Sequence, residues 1–355
     1  MPAFFSVYSG LDLHKVVETG QTPIFFGNRG VETMKVLVTG GAGFIGRHTV
    51  KRLLDEGEQV VVVDIATIGN VQKKDERVTS YTADIVSEEL EAIFAEERPD
   101  AVIHLAAQTS VRRSLQNPTA DAETNILGTI QVLKQCVRFG VQRIVFASSA
   151  AVYGDPDELP IQESDGTEPL SFYGVSKRVS EMYIQSFSDR YGLSYAILRY
   201  ANVYGIRERR SGEDGVLTAF VERMIAGLPL EVYGDGLQTR DFVYVKDIAE
   251  ANVQALRCAG NQVLNVSSGR GISLLEALGM LKEITGRNVQ PQFRPAQSGD
   301  IEQSVLDNGK ARDILWWEPR YSLYDGLLEM TEFETEARKN PLLVQRTSYS
   351  ETSAI

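Results

Sequence analysis

From Met34 to about Val203, short apolar runs alternate with longer stretches whose apolar residues recur every three or four positions. Strands are predicted at 35–39, 59–64, 79–82, 101–105, 143–147 and 195–199, with helices between most of them. The run Val60-Val61-Val62-Val63 is apolar at every position, the pattern of a strand covered on both faces, so the expected class is α/β with a doubly wound parallel sheet. After Gly205 the alternation breaks into a polar loop at 207–214, a helix at 216–226 and a stretch punctuated by Pro and Gly as far as Asp241. It resumes at Val263-Leu264-Asn265-Val266, which reads as a strand returning to the first sheet. The expected division is a first domain at 34–203 with returning segments at about 240–266, and a smaller, interleaved C-terminal domain at 204–239 and 267–335. Met34-Lys35-Val36 opens the first strand, so 1–33 is expected to be an N-terminal extension and 336–355 a loose C-terminal tail.

Composition narrows the function. The 36 basic and 48 acidic residues leave a formal charge of −12, which favours neither nucleic acid nor an anionic membrane as a partner. An anionic substrate needs a local basic group. Cys136 and Cys258 stand far apart with no metal-type spacing, so no metal is expected and both thiols are read as buried in a reducing compartment. No apolar run reaches the roughly 20 residues that span a bilayer, and the first residues lack a basic segment followed by an apolar one, so the expected location is cytoplasmic.

The first candidate chemistry lies between the first strand and the helix after it. "TGGAGFIG" (Thr39 to Gly46) holds four glycines in eight residues and reads either as Gly41-x-Gly43-x-x-Gly46 or as Gly40-x-x-Gly43-x-x-Gly46. Glycines at a strand-to-helix turn permit positive φ, clear Cβ atoms from the path of a ligand and leave the first helical N–H groups to an anion. The second apolar run ends in Asp64, where the partner of a ribose hydroxyl belongs in a dinucleotide-binding, Rossmann-type unit. Asp64 repels a 2′-phosphate and Ile65-Ala66-Thr67-Ile68 contains no arginine, so the expected cofactor is NAD and not NADP.

The second candidate is "SFYGVSK". Tyr173 and Lys177 are four apart at the start of a helical pattern that runs to about Tyr191, so they share one face. A phenol with a pKa near 10 is a poor base, but an ammonium and a cationic nicotinamide both favour its phenolate. Tyr173 can then take a proton from a substrate hydroxyl while the carbon below gives hydride to the cofactor. Ser149, at the end of a predicted strand, would offer its hydroxyl to the same oxygen.

With these motifs stand "HLAAQ" (104–108), "NILGT" (125–129), "SSAAVYG" (148–154), "LRYANVYG" (198–205), "YGDGLQTRDFVYVKDI" (233–248) and "SVLDNGKARDILWWEP" (304–319). Together they resemble the extended short-chain dehydrogenase/reductases acting on nucleotide sugars, and among these the UDP-glucose 4-epimerase-like members, over about 34–319. The resemblance implies that Ser149, Tyr173 and Lys177 are catalytic, and that Gly40, Gly43, Phe44, Ile45, Gly46, Asp64, Asp84, Ile85, Leu105, Ala106, Ala107 and Gln108 hold NAD. It implies that Asn125 supports the site, that Asn202 and Arg240 hold the diphosphate of a UDP-sugar, and that Val216, Val232, Tyr233, Arg294 and Ser304 line the substrate pocket. Arg240 also answers a physical demand, since an acidic protein binding a dianion needs a fork of donors. Ser304 falls where the family carries a residue limiting space beside the sugar, and Gln297 stands where the family carries a diphosphate-binding arginine, a role that Arg294 or Arg207 would have to fill. The helices at 128–139 and 175–191 resemble the pair through which the family forms homodimers.

Dehydratases of the family carry Asp-Glu after the catalytic Ser/Thr, and decarboxylases a Glu, whereas this chain has Ala150 and Ala151. Neither methyl moves a proton, so oxidation and re-reduction at one carbon is expected rather than elimination. The readings left open are a UDP-hexose 4-epimerase, a sibling such as a UDP-glucuronate 4-epimerase or a keto-sugar reductase, and a dinucleotide-binding regulator without catalysis.

Overall fold

The computed structural model describes residues 33–67, 75–207, 209–210, 215–296, 301–340 and 345–346. Its centre is a seven-stranded, fully parallel sheet. In chain order the first six strands are β1 (Lys35–Thr39), β2 (Gln59–Asp64), β3 (Val78–Thr82), β4 (Ala101–His104), β5 (Arg143–Ser149) and β6 (Ser194–Tyr200), and the seventh is Gln262–Val266. Their spatial order is seventh, β6, β5, β4, β1, β2, β3. Consecutive strands thus run outward in both directions from the β1/β4 boundary, and a crevice forms beyond the strand ends there.

The unbroken apolar runs have the origin their pattern suggests. Val36 and Val38 of β1 and Val60 and Val62 of β2 face one layer with Val50 and Leu53 of the helix Phe44–Asp55 and Ile248 and Ala251 of the helix Val245–Ala255. Leu37, Val61 and Val63 face the other, with Phe94, Leu133 and Ile184 of the helices Glu89–Glu97, Gly128–Phe139 and Phe172–Tyr191. β5 extends two residues past the expected 147, because Ser148 and Ser149 still pair with Arg199 and Tyr200. This extension carries Ser149 to the rim of the crevice.

A second layer sits over that rim. Thr239–Tyr244 is its spine, pairing parallel with Asn202–Tyr204 and Gln303–Ser304 and antiparallel with Gly271–Ser273. The helices Val216–Ala226, Leu274–Thr285 and Leu323–Lys339 enclose a separate core that includes Phe220, Met224, Leu278 and Leu327. The chain crosses back toward the large sheet at Val245, where the helix Val245–Ala255 begins and packs on Phe44–Asp55. Among the described residues no helix is long and apolar enough to cross a membrane. Both cysteines are buried free thiols.

Candidate active site

The glycine loop is shaped by contacts that no side chain could occupy. Gly40 has φ +71°, and a Cβ there would lie 2.6 Å from the Ala106 nitrogen. A Cβ on Gly46 would lie 2.1 Å from the Gly40 carbonyl, so the helix Phe44–Asp55 can sit directly on the loop only with glycine there. Gly43 is exposed and caps this helix without any side-chain bond to its first N–H groups, an arrangement suited to an anionic pyrophosphate. Phe44 and Ile45 form the first turn. Asp64 ends β2 beside the loop, its carboxylate accepting from the Ala42 and Ala66 amides at 2.9 Å each. Leu105, Ala106, Ala107 and Gln108 leave β4 as a half-buried extended wall facing the same crevice end. Asp84 is exposed just past β3, and Ile85 is buried beneath Gly128. This cradle fits a dinucleotide.

Across the crevice, Ser149 terminates β5 and its Oγ accepts from the Ala151 amide at 3.2 Å. Tyr173 and Lys177 lie on the first turns of Phe172–Tyr191, which Ser171 caps through the Gly174 amide. Gly174 fixes the approach, since a Cβ there would come within 2.4 Å of the Ala151 carbonyl. The helix start therefore rests on the turn that follows Ser149, and Tyr173 meets Ser149. Lys177 is buried, and its Nζ donates to the Ala147 carbonyl at 2.8 Å, 4.9 Å from the Phe146 ring centre and 5.9 Å from that of Tyr173.

Electrostatics within the protein alone differ from the simple expectation for a basic phenol. Burial pushes Tyr173 up to about 12, with the Ser149 hydroxyl acting in the other direction and Asp121 adding to the rise. Burial pulls Lys177 down to about 8, opposed by Asp121 and Glu181. A phenolate here thus calls for a further positive charge, which the oxidised nicotinamide ring of a bound NAD would supply.

Asn125, which the resemblance names as a support of the site, is joined by Asp121, Glu181 and Arg199, which were not singled out from sequence. Asn125 is buried on the π-helical turn Glu123–Leu127; its amide brackets Gln108 through both backbone groups, at 2.8 and 3.0 Å, and donates to Ser176 Oγ at 3.0 Å. Asp121 accepts from Gln108 and Asn125 at 2.8 and 3.2 Å. Glu181, one turn beyond Lys177, takes a two-bond grip from Arg199 at 3.0 and 2.8 Å and accepts from Ser148 at 2.6 Å. The only sequence trace of this last cluster is the helical spacing of 173, 177 and 181.

In the upper layer Arg240 and Ser304 are register partners on adjacent parallel strands, and Asn202 is the partner of Phe242 on the same spine. Asp241, which sequence proximity would make the partner of Arg240, is fully buried and accepts from the Ser268 amide and hydroxyl, the Gly269 amide and the Leu306 amide at 2.7–3.3 Å. Alternation along the strand turns the two side chains to opposite faces. Val216 opens its helix half-buried, and Tyr233 is exposed. The Val232 side chain is in the core of the upper layer, so a ligand can reach only its backbone. Arg294 is exposed and ion-paired with Glu231 at 2.8 Å. The Arg207 guanidinium lies 3.9 Å over the Phe44 ring, at the head of the glycine-loop helix. Gln297 lies outside the described residues.

Comparison with known proteins agrees with this geometry. The model of the NAD dependent epimerase/dehydratase family matches residues 36–267. A putative UDP-glucose 4-epimerase of Methanocaldococcus jannaschii is 40% identical over 293 residues, 82% of this chain and 95% of its own. Among solved structures, UDP-glucose 4-epimerase of Thermotoga maritima with UDP-glucose superposes with a TM-score of 0.81 at 41% identity, over 86% of this chain and 99% of its own. UDP-N-acetylglucosamine 4-epimerase of Methanobrevibacter ruminantium, in complex with UDP-N-acetylmuramic acid, also reaches 0.81, at 31% identity over 87% of this chain and 100% of its own. Motifs, sheet, crevice and relatives converge, and the chain belongs to the NAD-dependent epimerase/dehydratase family as a UDP-glucose 4-epimerase-like, NAD-dependent enzyme.

Proposed function

We propose that this protein interconverts the C4 epimers of a UDP-hexose, UDP-glucose and UDP-galactose first, through a transient 4-keto sugar. The observation that carries the reading is the meeting of Ser149, Tyr173 and Lys177 at the end of β5, followed by Ala150 and Ala151 where an elimination would need an acid and a base. NAD, when bound, supplies the acceptor and donor of hydride. Tyr173 takes the C4 hydroxyl proton and returns it to the opposite epimer, Ser149 holds the same oxygen, and the Lys177 ammonium lowers the cost of the phenolate. Arg240 and Asn202 hold the diphosphate while the sugar turns. The decisive experiment incubates purified protein with UDP-glucose, UDP-galactose and their N-acetylated and uronic forms. C4 epimers without net NADH release support the reading; loss of water or carbon dioxide refutes it, and turnover of the uronic pair alone favours the UDP-glucuronate epimerase.

The pocket is proposed to admit N-acetylated sugars as well. Ser304 stands beside Arg240 in register and is small, leaving room that a tyrosine ring would fill. Comparing kcat/KM for UDP-galactose and UDP-N-acetylgalactosamine tests it: wild type should epimerise both, and Ser304→Tyr should selectively lose the second. We further propose a homodimer through Gly128–Phe139 and Phe172–Tyr191, whose outer residues Val175, Met182 and Tyr183 are exposed. A monomeric mass by light scattering would refute it.

A further inference from the structure

A line of buried hydrogen bonds joins the two sides of the crevice below the active site. Thr39 and His104 end the neighbouring strands β1 and β4 and are register partners. Thr39 Oγ1 lies 2.6 Å from His104 Nδ1, and His104 Nε2 lies 3.0 Å from Thr129 Oγ1. Thr129 Oγ1 is 2.6 Å from the Asn125 carbonyl, and the Ala106 amide is 3.3 Å from Thr39 Oγ1. All three side chains are essentially inaccessible to water.

Proton counting fixes the sense of every link. The Asn125 carbonyl can only accept, so it takes the single hydroxyl proton of Thr129, and Thr129 can only accept from His104. Nε2 therefore carries a hydrogen. The ring is neutral, because burial and the nearby Lys177 ammonium pull its pKa down to about 3, so Nδ1 is bare and accepts from Thr39. Thr39 in turn accepts from Ala106. The chain runs one way, from the cofactor wall at Ala106, through Thr39 beside the glycine loop, through the imidazole, to the turn that carries Asn125. Asn125 completes the path by holding Gln108 and Ser176, the latter between Tyr173 and Lys177. Phe146 packs between the middle of this line and the proposed catalytic lysine, 5.6 Å from the His104 ring and 4.9 Å from Lys177 Nζ.

We propose that His104 is a positioning residue, a neutral Nε2–H imidazole that ties the glycine loop and cofactor wall to the Asn125 turn and so sets where Tyr173 stands relative to the nicotinamide. A packing role alone would be met by any apolar side chain of similar volume. A polar relay requires an acceptor toward Thr39 and a donor toward Thr129, which glutamine supplies and leucine does not.

The test uses the full chain with NAD bound. Two-bond proton–nitrogen correlation on 15N-histidine protein, with the His104 signal assigned by its absence in His104→Gln, should give the Nε2–H pattern unchanged from pH 5 to 9. An Nδ1–H or imidazolium pattern overturns the proposal; the pattern is read on wild-type protein, and should His104→Gln fail to fold, removal of the other two histidines, His14 and His48, gives the same assignment. The activity arm rests on the epimerase reading above, and it compares variants only with wild type on whichever UDP-sugar wild type turns over. His104→Leu should lower kcat about tenfold or more with KM changed less than threefold, His104→Gln should recover most of the loss, and Thr129→Val should reproduce it. Equal kcat in the Leu and Gln variants would overturn the positioning role. Failure of wild type on every UDP-sugar refutes the function and leaves the tautomer result to decide the relay.

Discussion

Gly46→Ala isolates the close approach on which the cofactor cradle rests. The added Cβ would lie 2.1 Å from the Gly40 carbonyl oxygen, 2.6 Å from Gly41 Cα and 2.8 Å from the Gly41 carbonyl carbon, all backbone atoms. Ordinary contact begins near 3.4 Å, so the helix Phe44–Asp55 must retreat by about 1.3 Å or the loop must move away. Val50 and Leu53 of that helix are fully buried, and a retreat of that size loosens their packing. Overpacking of this kind costs about 1–3 kcal/mol, against a gain of about 0.5–1 kcal/mol from replacing glycine within a helix. A net loss of up to about 2.5 kcal/mol is expected, a Tm lower by up to roughly 10 °C for a large domain. Gly43→Ala is the contrast: its Cβ meets only the Gly40 oxygen at 3.1 Å, in an extended conformation any residue adopts, but on the exposed side where an anion would approach. Thermal unfolding of cofactor-free protein and NAD titration should therefore separate the pair. Gly46→Ala loses both stability and NAD affinity, whereas Gly43→Ala keeps its Tm and loses affinity. A Gly46→Ala protein with wild-type Tm and wild-type NAD affinity would show the loop–helix contact to be irrelevant.

Tyr173→Phe should fold and bind NAD while turnover falls by a factor on the order of 10² or more, read by steady-state kinetics; Lys177→Ala should weaken both turnover and NAD binding. Trp316 caps the helix Gly309–Leu315 in the left-handed conformation, φ 53°, and is 91% exposed, so Trp316→Gly removes strain without opening the core. It should gain about 0.5–1 kcal/mol in urea unfolding, and a loss would contradict the strain. On the acid side, His104 has a folded pKa of about 3, below that of the unfolded chain, so from about pH 6.5 down to 3 the unfolded state binds a proton that the folded state refuses. Wild-type stability should fall with decreasing pH through that window more steeply than that of His104→Gln, by about 1.4 kcal/mol per pH unit in its middle; parallel urea-midpoint profiles for the two proteins would contradict this.

The large sheet was legible because strands buried on both faces carry continuous apolar runs, as in Val60-Val61-Val62-Val63, and these leave little freedom of assignment. Tyr173 and Lys177, proposed above as catalytic, were legible as a pair because helical spacing places them one turn apart. The upper layer was not. Gln303–Ser304 is two residues long and shows no periodicity, so its pairing with Arg240 emerges only in three dimensions. Asp241 misleads for a related reason: adjacency in sequence suggests an ion pair with Arg240, while strand alternation sends its carboxylate to amides 27 to 65 residues away. The Thr39–His104–Thr129 line escaped detection because its members belong to three separate motifs.

The seventh strand has a consequence for how the molecule comes into being. β6 is finished at Tyr200, but its outer neighbour, Gln262–Val266, is synthesised only after the chain has passed through Asn202–Tyr204, Val216–Ala226 and Thr239–Tyr244. A growing chain therefore holds an open, apolar strand edge along Ile197 and Leu198 for the time needed to add about 60 residues, several seconds at ordinary translation speed. Completion of the first sheet therefore waits on segments that belong to the layer above it, while that layer itself still lacks Gly271–Ser273, Gln303–Ser304 and Leu323–Lys339, so a premature stop between Tyr200 and Val266 would leave a chain with an unpaired, aggregation-prone strand edge.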